Sequence, residues 1–223
     1  LPRAKETVLE AIELARRSGS TEAVAVARHT AMGVQQMLEE FDEALRNGWA
    51  AYHLYEDGSD HRTNCLTGIA ALLKDMGDLE ASEDAFIVVA HTARLHYYRI
   101  YAYDALSHVS ALQGRGEEYD QRVVATDALD WESGPHSAKA EILFHRGLSL
   151  QVLGRIDEAE TWFERAVDFA TEHKFSSTLF RAESALNAIR EGRVEWVAEA
   201  ATATPEVREG LREMREAIAA SAS

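Results

Sequence analysis

Apolar and small residues recur at intervals of three and four positions along almost the whole chain, which is the periodicity of an amphipathic helix. The clearest instance is a pair of segments separated by Gly154. The residues that share a face are Leu143, Gly147 and Leu150 in the first segment, and Ala159, Phe163 and Ala166 in the second. β-Branched residues do not alternate with polar ones, and the chain has only three prolines. The pattern therefore predicts an all-α fold built from helix hairpins.

The hairpin recurs along the chain, and the residue at its turn marks each copy. Gly77, Gly114, Gly154 and Gly192 are 37, 40 and 38 residues apart. A weaker copy has Glu39 at the turn, 38 residues before Gly77. Self-similarity at a nearly fixed period is the signature of a repeat architecture, in which each unit buries its apolar face against its neighbours.

The repeat divides the chain into units, each with a helix A before the turn and a helix B after it. The predicted units are a half repeat at 3–17, repeats at about 21–55, 61–93, 95–128, 136–173 and 175–203, and a last helix at 205–219. Thr204, Pro205 and Glu206 form a typical helix start. Leu211 and Met214 lie on one face of the last helix, so we expect it to cap the final repeat.

The best copy resembles the tetratricopeptide repeat, whose signature has large, Leu-Gly and Tyr positions in helix A and Ala, aromatic and Ala positions in helix B. Here Arg146 replaces the leucine and Thr171 replaces the usual closing proline. The period of about 38 residues also exceeds the family value of about 34, as in the longer repeats of bacterial proteins. The resemblance implies a right-handed superhelical solenoid of antiparallel helix hairpins, with a C-terminal capping helix and one domain over residues 1–223.

The resemblance also implies a binding site, because this family mostly grips a peptide or partner segment against the concave wall formed by its A helices. We expect the wall residues to lie about 13, 10, 6 and 3 positions before each turn. Those positions hold mixed polar and apolar side chains, which suit a peptide with a few apolar contacts. The predicted groove residues are Arg28, Gln35, Asn64, Thr67, Lys74, Tyr101, Asp104, His108, Glu141, Phe144, Leu148 and Gln151.

Net charge narrows the class of partner. The chain has 23 Lys and Arg against 38 Asp and Glu, a formal net charge of −15. Such a charge repels nucleic acid and anionic membranes, and it favours a protein or peptide partner of basic character. No run of apolar residues is long enough to span a membrane, and no signal peptide precedes the first helix. We therefore expect a cytoplasmic protein.

The sequence favours neither an enzyme nor a metal protein. Cys65, the single cysteine, lies beside an apolar stripe and is expected to be a buried, unreactive thiol. The nine histidines include no pair at the three- or four-residue spacing of a helical metal site. No common phosphate-binding, esterase or zinc-protease motif is present, so we predict no catalytic residue, metal or cofactor.

Two functions remain open at this point. The first is a scaffold that grips a partner segment in the groove of the A helices. The alternative, which the family resemblance allows although no helix-turn-helix segment is visible, is a ligand- or peptide-sensing domain of a larger bacterial transcription regulator. The chain begins with Leu1, and its opening half repeat has no preceding partner. We therefore expect a piece of a longer protein, and a basic helical domain encoded upstream would favour the second function.

Overall fold

The computed structural model describes residues 2–193 and 202–221. Within these ranges the chain forms eleven α-helices and one short 3-10 helix, and it contains no β-strand. The prediction of an all-α fold is thereby confirmed. The half repeat predicted at 3–17 and the last helix predicted at 205–219 correspond to the helices Pro2–Ser18 and Pro205–Ser221. Most of helix B of the repeat predicted at 175–203 lies outside the described residues.

The helices follow one another with short connections. They are α1 (Pro2–Ser18), α2 (Thr21–Met37), α3 (Phe41–Leu54), α4 (Asp60–Asp75), α5 (Leu79–Thr92), α6 (His96–Leu112), α7 (Gly116–Asp127), α8 (His136–Val152), α9 (Ile156–His173), α10 (Ser176–Arg190) and α11 (Pro205–Ser221). Neighbours such as α2 and α3, α4 and α5, and α8 and α9 pack against each other as hairpins. Superhelical form and the limits of the repeats stay predictions.

The five predicted turns share one backbone geometry. Gly77, Gly114, Gly154, Gly192 and Glu39 all have positive φ, between 59° and 82°. In each case the turn residue and the residue after it donate backbone hydrogen bonds three and five positions back, which is the Schellman motif that ends a helix. Four of these positions are glycine because glycine adopts positive φ without a steric penalty. The spacing of the turns is therefore a real structural period.

The chain divides into two compact units. The first unit contains Leu1–Tyr98 and Ala198–Ser223, and the second contains Arg99–Val197. The first unit thus holds α1 to α5 together with α11, while the second holds most of α6 and all of α7 to α10. Separate groups of buried residues stabilise the two units; among them are Leu45, Leu72 and Phe86 in the first and Ile142 and Phe163 in the second.

Helix α11 belongs to the first unit, where it packs against α5. Leu211 of this helix is fully buried, and Gly210 lies against the Trp49 ring of α3. Two arginines of α11 also pair with carboxylates of the first unit, Arg208 with Asp78 and Arg215 with Asp84. Helix α11 thus packs against α3 and α5 through its apolar face and its charges, and a cap on the last repeat stays a prediction.

The α8–α9 hairpin carries the core of the second unit. A Cβ added at Gly147 would lie 2.6 Å from the Phe163 ring, so the helices cross where one of them has no side chain. Arg146, the departure from the family pattern, is buried between two indole rings. Its guanidinium lies 4.9 Å from the centroid of Trp131 and 4.8 Å from that of Trp162. Cation–π contacts with both rings explain how an arginine replaces a leucine here.

Candidate binding cleft of the second unit

The twelve predicted groove residues are divided between the two units. Arg28, Gln35, Asn64, Thr67 and Lys74 belong to the first unit, and the other seven belong to the second. The fully buried members are Gln35, Thr67, Asp104, His108 and Phe144. Those that are partly or fully exposed are Arg28, Asn64, Lys74, Tyr101, Glu141, Leu148 and Gln151. The expectation of an open wall along all the A helices is thus corrected for Gln35, Thr67, Asp104 and His108. The fifth buried residue, Phe144, lines a cleft with the small part of its surface that stays exposed.

Hydrogen bonds explain why two of these side chains are buried in the first unit. The Gln35 and Asn47 side-chain amides lie 2.9 Å apart, and Arg28 donates to Asn47 from 2.8 Å. The Thr67 hydroxyl donates to the Thr63 carbonyl of its own helix. Both residues therefore satisfy their polar groups inside the protein, as buried polar groups generally do.

In the second unit, a polar network joins α6 to α8. His145 Nδ1 lies 3.3 Å from Asp104 Oδ2, and His108 Nδ1 lies 2.8 Å from Ser149 Oγ. Ser149 donates its hydroxyl proton to the His145 carbonyl at 2.7 Å, so His108 Nδ1–H is the donor to Ser149. The two imidazole rings stack with centroids 5.5 Å apart. Asp104 and His108 therefore hold two A helices together and are not exposed to a partner.

Glu141 extends the network from α8 to α10. Its carboxylate accepts hydrogen bonds from Thr178 Oγ1 at 3.0 Å and from Arg181 Nη1 at 3.0 Å. Burial acts to raise the pKa of Glu141, but the nearby charges of His145 and Arg181 and the hydrogen bonds outweigh it and lower that pKa. Glu141 is thus held in its charged form, and it orients the Arg181 side chain.

One face of α8, with residues that are partly exposed or buried, forms one wall of a cleft. Three predicted groove residues, Phe144, Leu148 and Gln151, line this wall. The opposite wall comes from α10 and its following turn. Among residues 2–193 and 202–221, the lining is Phe144, Leu148, Gln151, Val152, Phe180, Arg181, Ser184, Ala185, Ala188 and Arg193, around a volume of about 320 Å³. This volume lies at the lower end of the range found for ligand pockets.

The cleft is lined by apolar side chains together with a few polar ones. Leu148, Val152, Ala185 and Ala188 supply aliphatic surface, and the Arg181 guanidinium lies 4.1 Å from the centroid of the Phe144 ring. Phe180 also lines the cleft, and 73% of its surface is exposed, which is unusual for a large aromatic side chain. An apolar cleft edged by a few polar groups suits a peptide side chain together with its backbone.

The cleft residues on α10 are not among the predicted groove residues. The spacing rule that selects the α8 wall selects Leu179, Ala182, Leu186 and Ile189 on α10. Ala182 and Leu186 belong to the core and Ile189 packs against it. The reason is geometric: two walls of one cleft face each other, so they use different sides of their helices. The sequence shows only that a phenylalanine, Phe180, precedes an arginine, Arg181. The exposure of Phe180 becomes visible in the structure.

The remaining candidates for chemistry behave as buried structural groups. Cys65 is fully buried and its thiol donates to the Gly48 carbonyl at 3.3 Å, and burial raises its pKa to about 12. The prediction of a buried thiol is confirmed.

Among residues 2–193 and 202–221, no group of three or more His, Cys, Asp or Glu residues is placed to hold a metal ion. The helices in these ranges include none that is long and apolar enough to cross a membrane.

Comparison of the chain with protein-family models, with curated proteins and with solved structures found no match. Membership of the tetratricopeptide repeat family stays a prediction from the sequence pattern.

Proposed function

We propose that the chain is a peptide-binding protein whose second unit takes a segment of a partner protein in the cleft between α8 and α10. The observation that carries the proposal is the exposed Phe180 ring beside an apolar cleft. When a partner covers a large aromatic side chain, the free energy of the complex is lowered by roughly 25 cal/mol per Å² of apolar surface removed from water. Exposed aromatic surface next to a concave apolar site is typical of interaction sites.

The polar groups of the cleft support a peptide as the ligand. Gln151 and Ser184 can donate to and accept from backbone amides, and Arg181 is oriented by Glu141 before any partner binds. A preoriented side chain loses less conformational entropy on binding. The proposed site is therefore narrower than the groove expected from the sequence, and it excludes the buried Asp104 and His108.

Phe180→Glu tests the proposal. Purified protein is used to select peptides from a displayed random library, and the dissociation constants of the selected peptides are then measured by calorimetry. We expect Phe180→Glu to weaken binding by tenfold or more, since it removes the apolar contact and adds a charge. Val124→Glu is the matched control, because Val124 is 69% exposed on α7 of the same unit and does not line the cleft.

Both substitutions change an exposed apolar side chain, so we expect both variants to keep the melting temperature of the parent protein. If the library yields no binder, or if both variants bind the selected peptides as tightly as the parent does, the cleft is not the binding site.

A further inference from the structure

Two positive side chains, each paired with one carboxylate, line the cleft of this strongly acidic chain. The formal net charge is −15, yet the charged side chains that line the cleft within the described part of the chain, Arg181 and Arg193, are both positive. A partner segment in the cleft meets these two guanidinium groups at close range, whereas distant surface carboxylates are screened within about 10 Å at ordinary salt concentrations. Local charge therefore decides which segments bind.

Arg181 keeps hydrogen-bonding capacity for a ligand. An arginine has five N–H donors, and Glu141 accepts only from Nη1, at 3.3 and 3.0 Å. Within the described part of the chain, no protein oxygen accepts from Nε or Nη2 of this residue. The free edge of a guanidinium group matches the geometry of a carboxylate.

Arg193 is the second group that a ligand can engage. Its side chain pairs with Glu191, and both side chains are largely exposed. An exposed ion pair of this kind contributes little free energy, so a ligand carboxylate can replace Glu191 at small cost. By contrast, the partly buried Glu141 carboxylate and the Phe144 ring hold the Arg181 side chain in place.

We infer that the preferred partner of the cleft is an acidic peptide segment, with Glu or Asp flanking an apolar residue. The apolar residue covers Leu148 and Phe180, and the carboxylates bind Arg181 and Arg193. This inference rests on the proposed function and reverses the preference for a basic partner that the net charge suggests. Net charge describes the field far from the protein, while recognition depends on the groups in contact.

Three displayed peptide libraries test the inference. They share randomised apolar positions and differ only in their fixed flanking residues, which are Glu, Gln or Lys. We expect the Glu library to be enriched most strongly on the purified protein. Replacing the flanking Glu residues of one enriched peptide by Gln should then weaken its affinity about two- to fivefold per contact, with a smaller difference in high salt.

Arg193→Gln should weaken binding of the same acidic peptide about two- to fivefold and leave its Gln-flanked counterpart unaffected. Arg190→Gln is the control, since Arg190 lies on α10, pairs with Glu160 and Glu164, and does not line the cleft. Equal enrichment of all three libraries would overturn the inference while leaving the proposed function intact. Stronger enrichment of the Lys library would also overturn it, and no enrichment of any library would overturn both.

Discussion

At Gly147, the backbone of α8 lies directly against an aromatic ring of α9. The nearest ring atoms of Phe163 are 2.6 Å from the position that a Cβ would occupy. Real Cβ atoms do not approach a neighbour this closely, and Phe163 is itself fully buried. A single hydrogen in place of a methyl group therefore sets the distance between the two helices.

Gly147→Ala should lower the free energy of unfolding by about 1–3 kcal/mol, because the added methyl group overpacks the crossing. Gly33→Ala is the matched control: Gly33 is also helical, and a Cβ there meets no atom within 4 Å. We expect this control to be neutral or to stabilise by about 0.5–1 kcal/mol, since alanine favours the helix. Thermal and urea unfolding of both variants measures the difference, and equal stabilities would show that the crossing is looser than described.

The arrangement of helices in the first unit depends on one buried carboxylate. The Asp78 side chain is 1% exposed, and it lies at the start of α5, where it accepts a hydrogen bond from the Ala81 amide. The same carboxylate accepts from the Ala203 amide at 2.7 Å and from Arg208 Nε and Nη2 at 2.9 and 2.7 Å. One side chain thus caps α5 and fixes the start of α11.

Asp78→Ala should destabilise the protein by about 2–4 kcal/mol, because it removes the cap and leaves the Arg208 guanidinium without its carboxylate. The measurement is urea unfolding followed by circular dichroism. Asp75→Ala provides the comparison, since Asp75 ends α4 with its side chain 43% exposed, and we expect a change within about 0.5 kcal/mol. Comparable losses in the two variants would contradict the role given to Asp78.

Local features of the chain could be predicted, and contacts between distant segments could not. Helix periodicity and the turn residues act over a few positions, so Gly77 and Gly154 mark turns in the structure as they do in the sequence. Burial of His108 depends on Ser149, which lies on another helix, and no local pattern carries that information. The position of α11 depends on Asp78, more than a hundred residues earlier in the chain.

At the scale of the whole molecule, one wall of the candidate site could be predicted from the sequence and the other could not. The α8 wall of the cleft was accessible from the repeat pattern, because Phe144, Leu148 and Gln151 lie at the expected offsets before their turn. The α10 wall was not, because it uses another side of its helix. Net charge was misleading for a similar reason: it averages over the surface, whereas the cleft has two arginines within a strongly acidic chain.

Hydrogen exchange measured by mass spectrometry, with and without a selected peptide, tests the central claim most directly. If the second unit binds a partner segment between α8 and α10, the peptide should slow amide exchange in the C-terminal half of α8 and along α10, and should leave α1 to α3 unchanged. Protection confined to the first unit, or absent from both walls of the cleft, would contradict the account.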